Sequence, residues 1–302
     1  PQGLIPARCE NGFSGADLAP ENPAVQNKMN LKTILSLACI LFIISCTPQV
    51  TMTPIPATPM STGTQSHPEL ISTPEVDALV KTMSLEEKIG QVMIIGFDGT
   101  TANAELLEMI TKYHVGGVIL FARNVESPGQ VARLTAELQK AALESGHPAL
   151  FTAIDQEGGR VARLTEDKGF TEFPGAMALG ATGDPELARE AAKALAVEMK
   201  AVGINIDFAP VLDVNNNPDN PVIGIRSFGS DPQQVARFGK AFFEGLQSEG
   251  VLAFGKHFPG HGDTGVDSHV NLPLVAHDRA RLNSVEFVPF KAAIEAGVAG
   301  IM

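Results

Sequence analysis

The chain has 302 residues, of which 44% are hydrophobic and 19% are charged. This composition is typical of a globular protein with a sizeable core and excludes a disordered chain. The formal net charge is −12, from 34 acidic and 22 basic residues, without a basic stripe, so nucleic acid is not expected as a partner. The cysteines Cys9, Cys39 and Cys46 all precede the region that reads as folded. No disulfide or thiolate chemistry is therefore expected in the body of the protein.

The first 75 residues read as three segments outside the folded domain. Residues 1–28 lack hydrophobic periodicity and precede a Met that opens a signal sequence, which predicts an upstream artefact of gene calling. Residues 29–46 are predicted to be a lipoprotein signal peptide. Residues 47–75 are rich in Thr, Pro and Ser and cannot bury enough apolar surface to fold. They are predicted to be a linker, with an O-glycosylated stalk or simple filler as alternatives.

The predicted signal peptide ends in a motif that resembles a bacterial lipobox. Its apolar run over 34–44 is too short to span a bilayer as a stable helix. The tetrad Ile43-Ile44-Ser45-Cys46 then places a cysteine where bacterial lipoproteins are lipid-modified. The prediction is an exported protein that contacts the outer face of a bacterial cell membrane only through lipid on Cys46. An ordinary signal peptide with a chance cysteine is the alternative.

Residues 76–302 read as an α/β domain with a parallel sheet. Short runs that are apolar on both faces alternate with segments of helical periodicity, which is typical of parallel strands joined by helices. The strands are predicted at 91–97, 115–121, 149–154, 205–211, 251–255 and 298–302, and the helices at 128–143, 186–202, 232–246 and 285–296. An open doubly wound sheet and a (β/α)8 barrel both fit this alternation. No Gly-x-Gly-x-x-Gly fingerprint follows the first strand, which disfavours a dinucleotide-binding fold.

The most informative segment follows the fifth predicted strand. It reads Lys-His-Phe-Pro-Gly-His-Gly-Asp-Thr over 256–264 and Asp-Ser-His over 267–269. Three histidines, two aspartates and a lysine within fourteen residues are rare in a solvated loop. The proline and glycines allow sharp turns that return these side chains to the strand end. Ligands bind at that end in both candidate architectures, so the loop is predicted to line a site.

Two further segments combine with this loop into a set of three motifs. One is Asp-Gln-Glu-Gly-Gly-Arg-Val-Ala-Arg at 155–163, and the other joins Phe-Ala-Pro-Val-Leu-Asp at 208–213 to Arg-Ser-Phe at 226–228. In this order the motifs resemble glycoside hydrolase family 3, in its branch of bacterial β-N-acetylglucosaminidases, and the resemblance covers 82–302. It implies a (β/α)8 TIM barrel, of which about six of eight strands are present.

The resemblance implies a sugar-binding pocket that is formed by Asp155, Arg163, Arg226, Lys256 and His257. The residue types suit a sugar, because a carboxylate accepts from two adjacent hydroxyls and a guanidinium offers a rigid fork of donors. An internal ion pair between Asp155 and Arg163 that only shapes the loop is one alternative, and a purely structural Lys256 held beside a carboxylate is another.

The resemblance also implies that His269 is the general acid/base, with Asp267 as its partner. Imidazole titrates near neutrality, and a neighbouring carboxylate stabilises the imidazolium that protonates the leaving oxygen. The family's nucleophile is an aspartate after a seventh strand, which this chain does not reach. The chain is therefore expected to be a fragment that is truncated before its nucleophile and is inactive by itself.

Other polar residues of the three motifs receive no catalytic role. Glu157 is not expected to be the nucleophile, despite its place in the 155–163 motif. Asp213 is expected to hold the following loop, 215–226. His261 and Asp263 are expected to contribute to loop structure or to support residues that touch the ligand.

These features predict a retaining exo-glycosidase that needs no cofactor or metal. Its substrates would be cell-wall fragments or chitooligosaccharides with terminal non-reducing β-N-acetylglucosamine. A family 3 β-glucosidase, a phosphorylase and a non-catalytic sugar-binding lipoprotein are alternatives. A phosphorylase stays open because a His lacks the negative charge that would repel phosphate. A metal-dependent hydrolase with His257, His261, Asp263 and His269 as ligands is a further alternative, although Pro259 disfavours a helix there.

Overall fold

The computed structural model describes residues 73–267 and 270–302. The predicted signal peptide with Cys46, and the predicted acid/base His269, lie outside these residues. The helices of the described part are α1 (Pro74–Thr82), α2 (Leu85–Gln91), α3 (Ala104–Thr111), α4 (Pro128–Glu144), α5 (Ala176–Ala181), α6 (Pro185–Ala201), α7 (Pro232–Ser248), α8 (Arg279–Ser284) and α9 (Phe287–Glu295). The strands are β1 (Ile94–Gly96), β2 (Gly117–Leu120), β3 (Phe151–Ile154), β4 (Ile206–Asp207), β5 (Leu252–Gly255) and β6 (Gly300–Ile301).

The strands of the described residues form one parallel sheet in the order β1-β2-β3-β4-β5-β6. Each strand pairs with the next along the chain, as where Ile95 lies opposite Val118 and Phe254 lies opposite Gly300. A doubly wound sheet reverses its strand order at a switch point, and this sheet does not, so the doubly wound alternative is wrong. The sequential order is that of a β/α barrel, which confirms the predicted class. Within the described residues the sheet is not closed.

The two faces of the sheet bury different apolar groups. Val118 and Leu120 belong to the large core that also includes the buried helix faces. Ile119, Ala153 and Ile206 lie in a second, smaller cluster. Because successive strand residues point to opposite faces, this second cluster occupies the side of the sheet away from the main core.

Several helices begin where the sequence provides both a cap and a proline. The side chains of Ser127, Asp184 and Asp231 accept hydrogen bonds from backbone N–H groups at the starts of α4, α6 and α7, and proline follows each cap. Proline has no N–H to leave unpaired at the first helical position. These helix starts are accordingly close to their predicted positions.

The short elements differ most from prediction. The helices α1, α2, α3, α5 and α8 were not predicted, and α1 begins at Pro74, just inside the predicted linker. The predicted strand at 91–97 starts three residues too early, because Gln91 still belongs to α2. The predicted strand at 205–211 is regular only over β4, although the Ala209 and Pro210 carbonyls still accept from Phe254 and Lys256 and Val211 forms an isolated bridge with Lys256. No helix of the described part combines the length and apolar character that a membrane crossing requires.

Candidate active site

The five predicted sugar-binding residues surround one cleft at the carboxyl ends of the strands. Asp155 directly follows β3, and Lys256 and His257 directly follow β5. Arg163 and Arg226 enter from the loops after β3 and β4. All five line a cleft of about 390 Å³, together with Glu157 and the apolar side chains Ile119, Val161, Phe208 and Met302.

The loop after β3 is shaped by the buried side chain of Gln156. Its Oε1 accepts hydrogen bonds from the N–H groups of Arg163 and Leu164, at 2.7 and 3.0 Å, and its Nε2 donates to the Leu164 carbonyl at 3.0 Å. Gly158 has a φ of +82°, and a Cβ there would lie 2.6 Å from the Pro174 carbonyl oxygen. The Asp-Gln-Glu-Gly-Gly-Arg motif thus specifies a tight loop that brings Arg163 back beside Asp155.

A buried lysine joins two carboxylates at the centre of the site. The Lys256 ammonium lies 2.8 Å from Asp155 Oδ1 and 2.7 Å from Glu157 Oε1, and its side chain is 3% exposed. A buried cation of this kind requires anionic partners to offset its lost hydration. Lys256 therefore fixes the relative positions of the two acidic residues after β3.

Glu157 is also held by the guanidinium of Arg226. Arg226 Nε donates to Glu157 Oε2 at 2.9 Å, and Arg226 Nη2 donates to Glu157 Oε1 at 2.7 Å. Burial by itself raises the pKa of Glu157, but the Arg226 hydrogen bond and the charges of Lys256 and Arg226 hold that pKa below its ordinary value. Burial by itself would lower the pKa of Arg226. The hydrogen bond and the charge of Glu157 outweigh burial, so the pKa of Arg226 is raised. Glu157 is thus an ionised counter-ion shared by two cations.

Arg163 and Asp155 are in looser contact than these pairs. Arg163 Nη2 lies 3.7 Å from Asp155 Oδ2, and the side chains are 25% and 19% exposed. Arg163 Nε has no hydrogen-bond partner among the described residues. The guanidinium and the second carboxylate oxygen therefore sit at the cleft without a tight mutual pair.

Asp213 holds the segment that follows β5. Its fully buried carboxylate accepts from the N–H groups of His257 and His261, at 3.2 and 2.7 Å, and its Oδ2 lies 2.6 Å from His257 Nδ1. The expectation that Asp213 holds the 215–226 loop is wrong for its carboxylate, because the carboxylate bonds the other loop. Its backbone carbonyl accepts from Ser227 Oγ, directly after the 215–226 loop.

The contacts of His257 assign its ring hydrogens. Arg226 Nη2 lies 3.3 Å from His257 Nε2, and a guanidinium only donates. His257 Nε2 is therefore the acceptor, while Nδ1 carries the hydrogen that Asp213 accepts. Such a pair of contacts fixes both the tautomer and the orientation of the ring at the edge of the cleft.

Asn220, rather than Asp213, connects the 215–226 loop to the loop after β5. Its Nδ2 donates to the carbonyls of His261, Gly262 and Thr264, at 2.8, 3.2 and 3.0 Å. Its Oδ1 accepts from the N–H groups of residues 222 and 223. Because Arg226 lies on this loop, Asn220 indirectly positions the guanidinium beside Glu157.

Asp207, in β4, lies beneath the site. Its side chain is fully buried, Oδ1 accepts from the Gln156 N–H at 2.9 Å, and Oδ2 has no hydrogen-bond partner among the described residues. Burial raises the pKa of Asp207 well above its ordinary value, and the Gln156 hydrogen bond and Lys256 counter this only in part. Neither its role nor those of Glu157 and Asn220 was predicted. The 155–163 motif offered a signal for Glu157 alone.

The predicted catalytic dyad is described only in part. Asp267 is half-buried after β5, and its carbonyl accepts from the N–H groups of Val270 and Asn271 at 3.0 Å each. His269 lies outside the described residues, so the acid/base assignment stays a prediction. Asp263 contacts His277 at 2.7 Å and Arg281 at 3.4 Å.

The alternative of a metal-dependent hydrolase gains no support from the described residues. His257 is held by Asp213, His261 Nδ1 contacts Thr264 Oγ1, and Asp263 belongs to a different cluster with His277. Among the described residues these three proposed ligands do not form a group whose ligand atoms could hold one ion, although the rings of His257 and His261 lie with their centroids 5.8 Å apart. The fourth, His269, is not described.

The fold and the site define a barrel-type α/β domain that carries a polar, ion-paired pocket where enzymes of this architecture bind their substrates. Residues 84–302 match the glycosyl hydrolase family 3 N-terminal domain. The chain belongs to this family.

Relatives in this family carry hexosaminidase names. The chain is 47% identical over 207 residues to β-hexosaminidase A of Pseudoalteromonas piscicida, covering 67% of this chain and 34% of the relative. It is 42% identical over 216 residues to a β-hexosaminidase of Nitrosomonas eutropha, covering 70% of this chain and 60% of the relative. The chain thus spans only part of the length of these relatives.

Solved structures support the same comparison. A glycoside hydrolase family 3 β-N-acetylglucosaminidase from Paenibacillus sp. matches with a TM-score of 0.71 and 53% identity, covering 73% of this chain and 41% of that one. NagZ from Neisseria gonorrhoeae, in complex with N-trifluoroacetyl-D-glucosamine, matches with a TM-score of 0.65 and 34% identity, covering 70% and 62%.

Proposed function

We propose that this chain provides the sugar-binding part of a retaining exo-β-N-acetylglucosaminidase. The enzyme would release terminal non-reducing β-N-acetylglucosamine from cell-wall fragments or chitooligosaccharides. The observation that carries the proposal is the convergence of Asp155, Arg163, Arg226, Lys256 and His257 on one cleft. The hexosaminidase names of relatives that share 42% and 47% of aligned residues support the choice of sugar.

The size and chemistry of the cleft favour a single terminal sugar. Its volume of about 390 Å³ is near the lower end of the usual range for small-molecule pockets, about 300–1,000 Å³. Asp155 supplies acceptors and the two guanidinium groups supply donors, which suits a ring with several hydroxyls. The ion pairs of Lys256 and Glu157 hold these groups in place before the ligand arrives, so less side-chain entropy is lost on binding.

The proposed reaction proceeds in two displacements. An aspartate from a further strand attacks the anomeric carbon, the glycosidic bond breaks, and His269 gives its proton to the leaving oxygen. His269 then removes a proton from water, whose oxygen attacks the anomeric carbon and releases the aspartate. The sugar thus leaves with its original β configuration.

The proposal is tested with aryl glycosides and the protein in which this sequence is followed by the rest of its reading frame. We expect a kcat/KM for aryl β-N-acetylglucosaminide that greatly exceeds the value for the matched aryl β-glucoside. Added phosphate should not convert the product to a sugar phosphate. Preference for the glucoside, formation of the sugar phosphate, or sugar binding without turnover would each replace the proposal with one of the alternatives.

We also propose that the protein is exported and held on the outer face of a bacterial cell membrane by lipid on Cys46. The apolar run and the tetrad that ends at Cys46 support this localisation. When the protein is expressed from Met29 in a bacterium with labelled fatty acid, Cys46→Ala should abolish incorporation. Cys39→Ala is the matched control and should retain the label. Equal labelling of both variants would contradict the anchor.

A further inference from the structure

A second group of chemically active side chains lies at the opposite end of the sheet from the cleft. Glu87 is in α2, His114 lies three residues before β2, and His147 lies four residues before β3. One ligand atom from each residue lies within 4.8 Å of the others, and all three residues are half-buried. The cleft follows the carboxyl ends of the strands, whereas this group is at their amino ends.

The two histidines are in direct contact. His114 Nδ1 lies 2.8 Å from His147 Nε2, and the ring centroids are 4.3 Å apart. His114 has a φ of +58°, a left-handed conformation that is uncommon for a residue with a side chain. Its carbonyl accepts from Gln91 Nε2 at 2.9 Å, which ties it to the end of α2. The left-handed backbone of His114 thus holds its imidazole against the imidazole of His147.

Glu87 provides the anionic member of the group. Its Oε2 accepts from the Ser84 N–H at 2.7 Å, and Ser84 Oγ accepts from the Glu87 N–H at 3.2 Å. The Ser84 backbone and side-chain hydrogen bonds, and more weakly the two histidines, lower the pKa of Glu87. A fixed carboxylate beside two imidazoles is a donor set that Zn²⁺ and similar cations take in proteins.

The two imidazole nitrogens need only a small adjustment in their separation to accept an ion. Two imidazole nitrogens at 2.0–2.1 Å from a tetrahedral zinc are about 3.3 Å apart. The observed separation of 2.8 Å therefore has to open by about half an ångström, which small side-chain rotations can supply. The half-exposed position leaves room for water to complete the coordination.

A second group of possible ligands has a different character. Asp263, His277 and Glu286 also lie close together, but Arg281 Nη2 donates to Asp263 at 3.4 Å and to Glu286 at 3.2 Å. A guanidinium that already neutralises both carboxylates repels a cation from the same place. This group is an ion-pair network, and it supplies a control for the first.

We propose that Glu87, His114 and His147 form a site for a divalent cation of the zinc class. The bound ion would tie α2 to the segments that enter β2 and β3. Because a ligand that binds only the folded state stabilises it, zinc should raise the midpoint temperature of unfolding.

The site is tested on the full chain without a histidine tag and with Cys9, Cys39 and Cys46 replaced by Ser, so that thiolates do not bind the metal. Zinc titration by calorimetry should give one equivalent bound. His114→Asn and His147→Gln should each weaken affinity by at least about tenfold, the minimum expected for losing a ligand when outer-shell changes already cost 10–100-fold. Asn tolerates the left-handed backbone of His114.

Two control variants locate the binding. His277→Ala and His257→Ala remove the ring from the ion-pair network and from the cleft, and each should leave the zinc affinity and stoichiometry unchanged. Glu87→Gln retains the helix cap and should weaken binding without affecting folding. Loss of binding in His277→Ala or His257→Ala, with binding retained in the His114 and His147 variants, would overturn the proposal.

A crystal soaked in zinc provides a measurement that does not depend on variants. Anomalous scattering at the zinc edge should give a peak among Glu87, His114 and His147. A peak only elsewhere, or no zinc binding by calorimetry, would overturn the proposal.

Discussion

Glu157 and Arg226 are joined by two hydrogen bonds, Nε to Oε2 at 2.9 Å and Nη2 to Oε1 at 2.7 Å. The pair connects the loop after β3 to the loop after β4, and Lys256 brings in the segment after β5 through its 2.7 Å contact with Glu157. Three adjacent strands thus contribute to one buried charge network. The network sets the walls of the cleft before a ligand binds.

Removing the shared counter-ion should destabilise the fold. In Glu157→Gln, Arg226 and Lys256 lose a buried anion, and breaking a buried pair typically costs about 3–5 kcal/mol. Urea unfolding should show this loss. Glu190→Gln is the matched control, because Glu190 pairs with Lys193 on the surface, where such pairs contribute about 0–1 kcal/mol. Equal, small losses in both variants would contradict the role given to Glu157.

The effect of Glu157→Gln should depend on pH. The pKa of Glu157 is lowered in the folded protein, so its stabilising contribution is present above the ordinary pKa of 4.5 and is lost as pH falls through the folded value. The difference in free energy of unfolding between the two proteins should therefore shrink below pH 4.5. A difference that stays constant under acid conditions would show that the carboxylate charge is not responsible.

Asp207→Asn should have the opposite pH signature. Because the pKa of Asp207 is raised in the folded protein, its folded state binds the proton more tightly than the unfolded state, and stability falls as pH rises above the ordinary value of 3.8. The amide keeps the acceptor for Gln156 without the buried charge. The variant should be more stable than the wild type at neutral pH, with the gain disappearing below pH 3.8. A destabilised variant at neutral pH would contradict this account.

Replacement of His269 tests the predicted acid/base. An activated aryl leaving group departs without protonation, whereas a sugar leaving group with a high pKa needs the proton. His269→Ala should therefore slow a disaccharide substrate far more than a nitrophenyl glycoside, as measured by kcat/KM. Equal losses on both substrates would indicate a binding role, and unchanged rates would place the acid on another residue.

Motifs and caps made much of this structure predictable from sequence. The strands and the long helices follow from apolar periodicity and from Asp-Pro and Ser-Pro caps, as at Asp184 and Asp231. The five residues of the cleft follow from the resemblance. The shared counter-ion role of Glu157 does not follow from the sequence, because a motif indicates which residue types lie together and not which of them pair. Asp207 could not be recognised, because its significance depends on complete burial, which becomes visible only in three dimensions.

The central claim, that this cluster binds the terminal sugar, is tested most directly by pairing a variant with altered substrates. Asp155→Asn and wild type are compared on aryl β-N-acetylglucosaminides that each lack one hydroxyl group. For the hydroxyl that Asp155 binds, the wild type should lose on the order of tenfold or more in kcat/KM, as expected for a hydrogen bond to a charged group, and the variant much less. Identical losses in both proteins for every hydroxyl would show that Asp155 only shapes the loop.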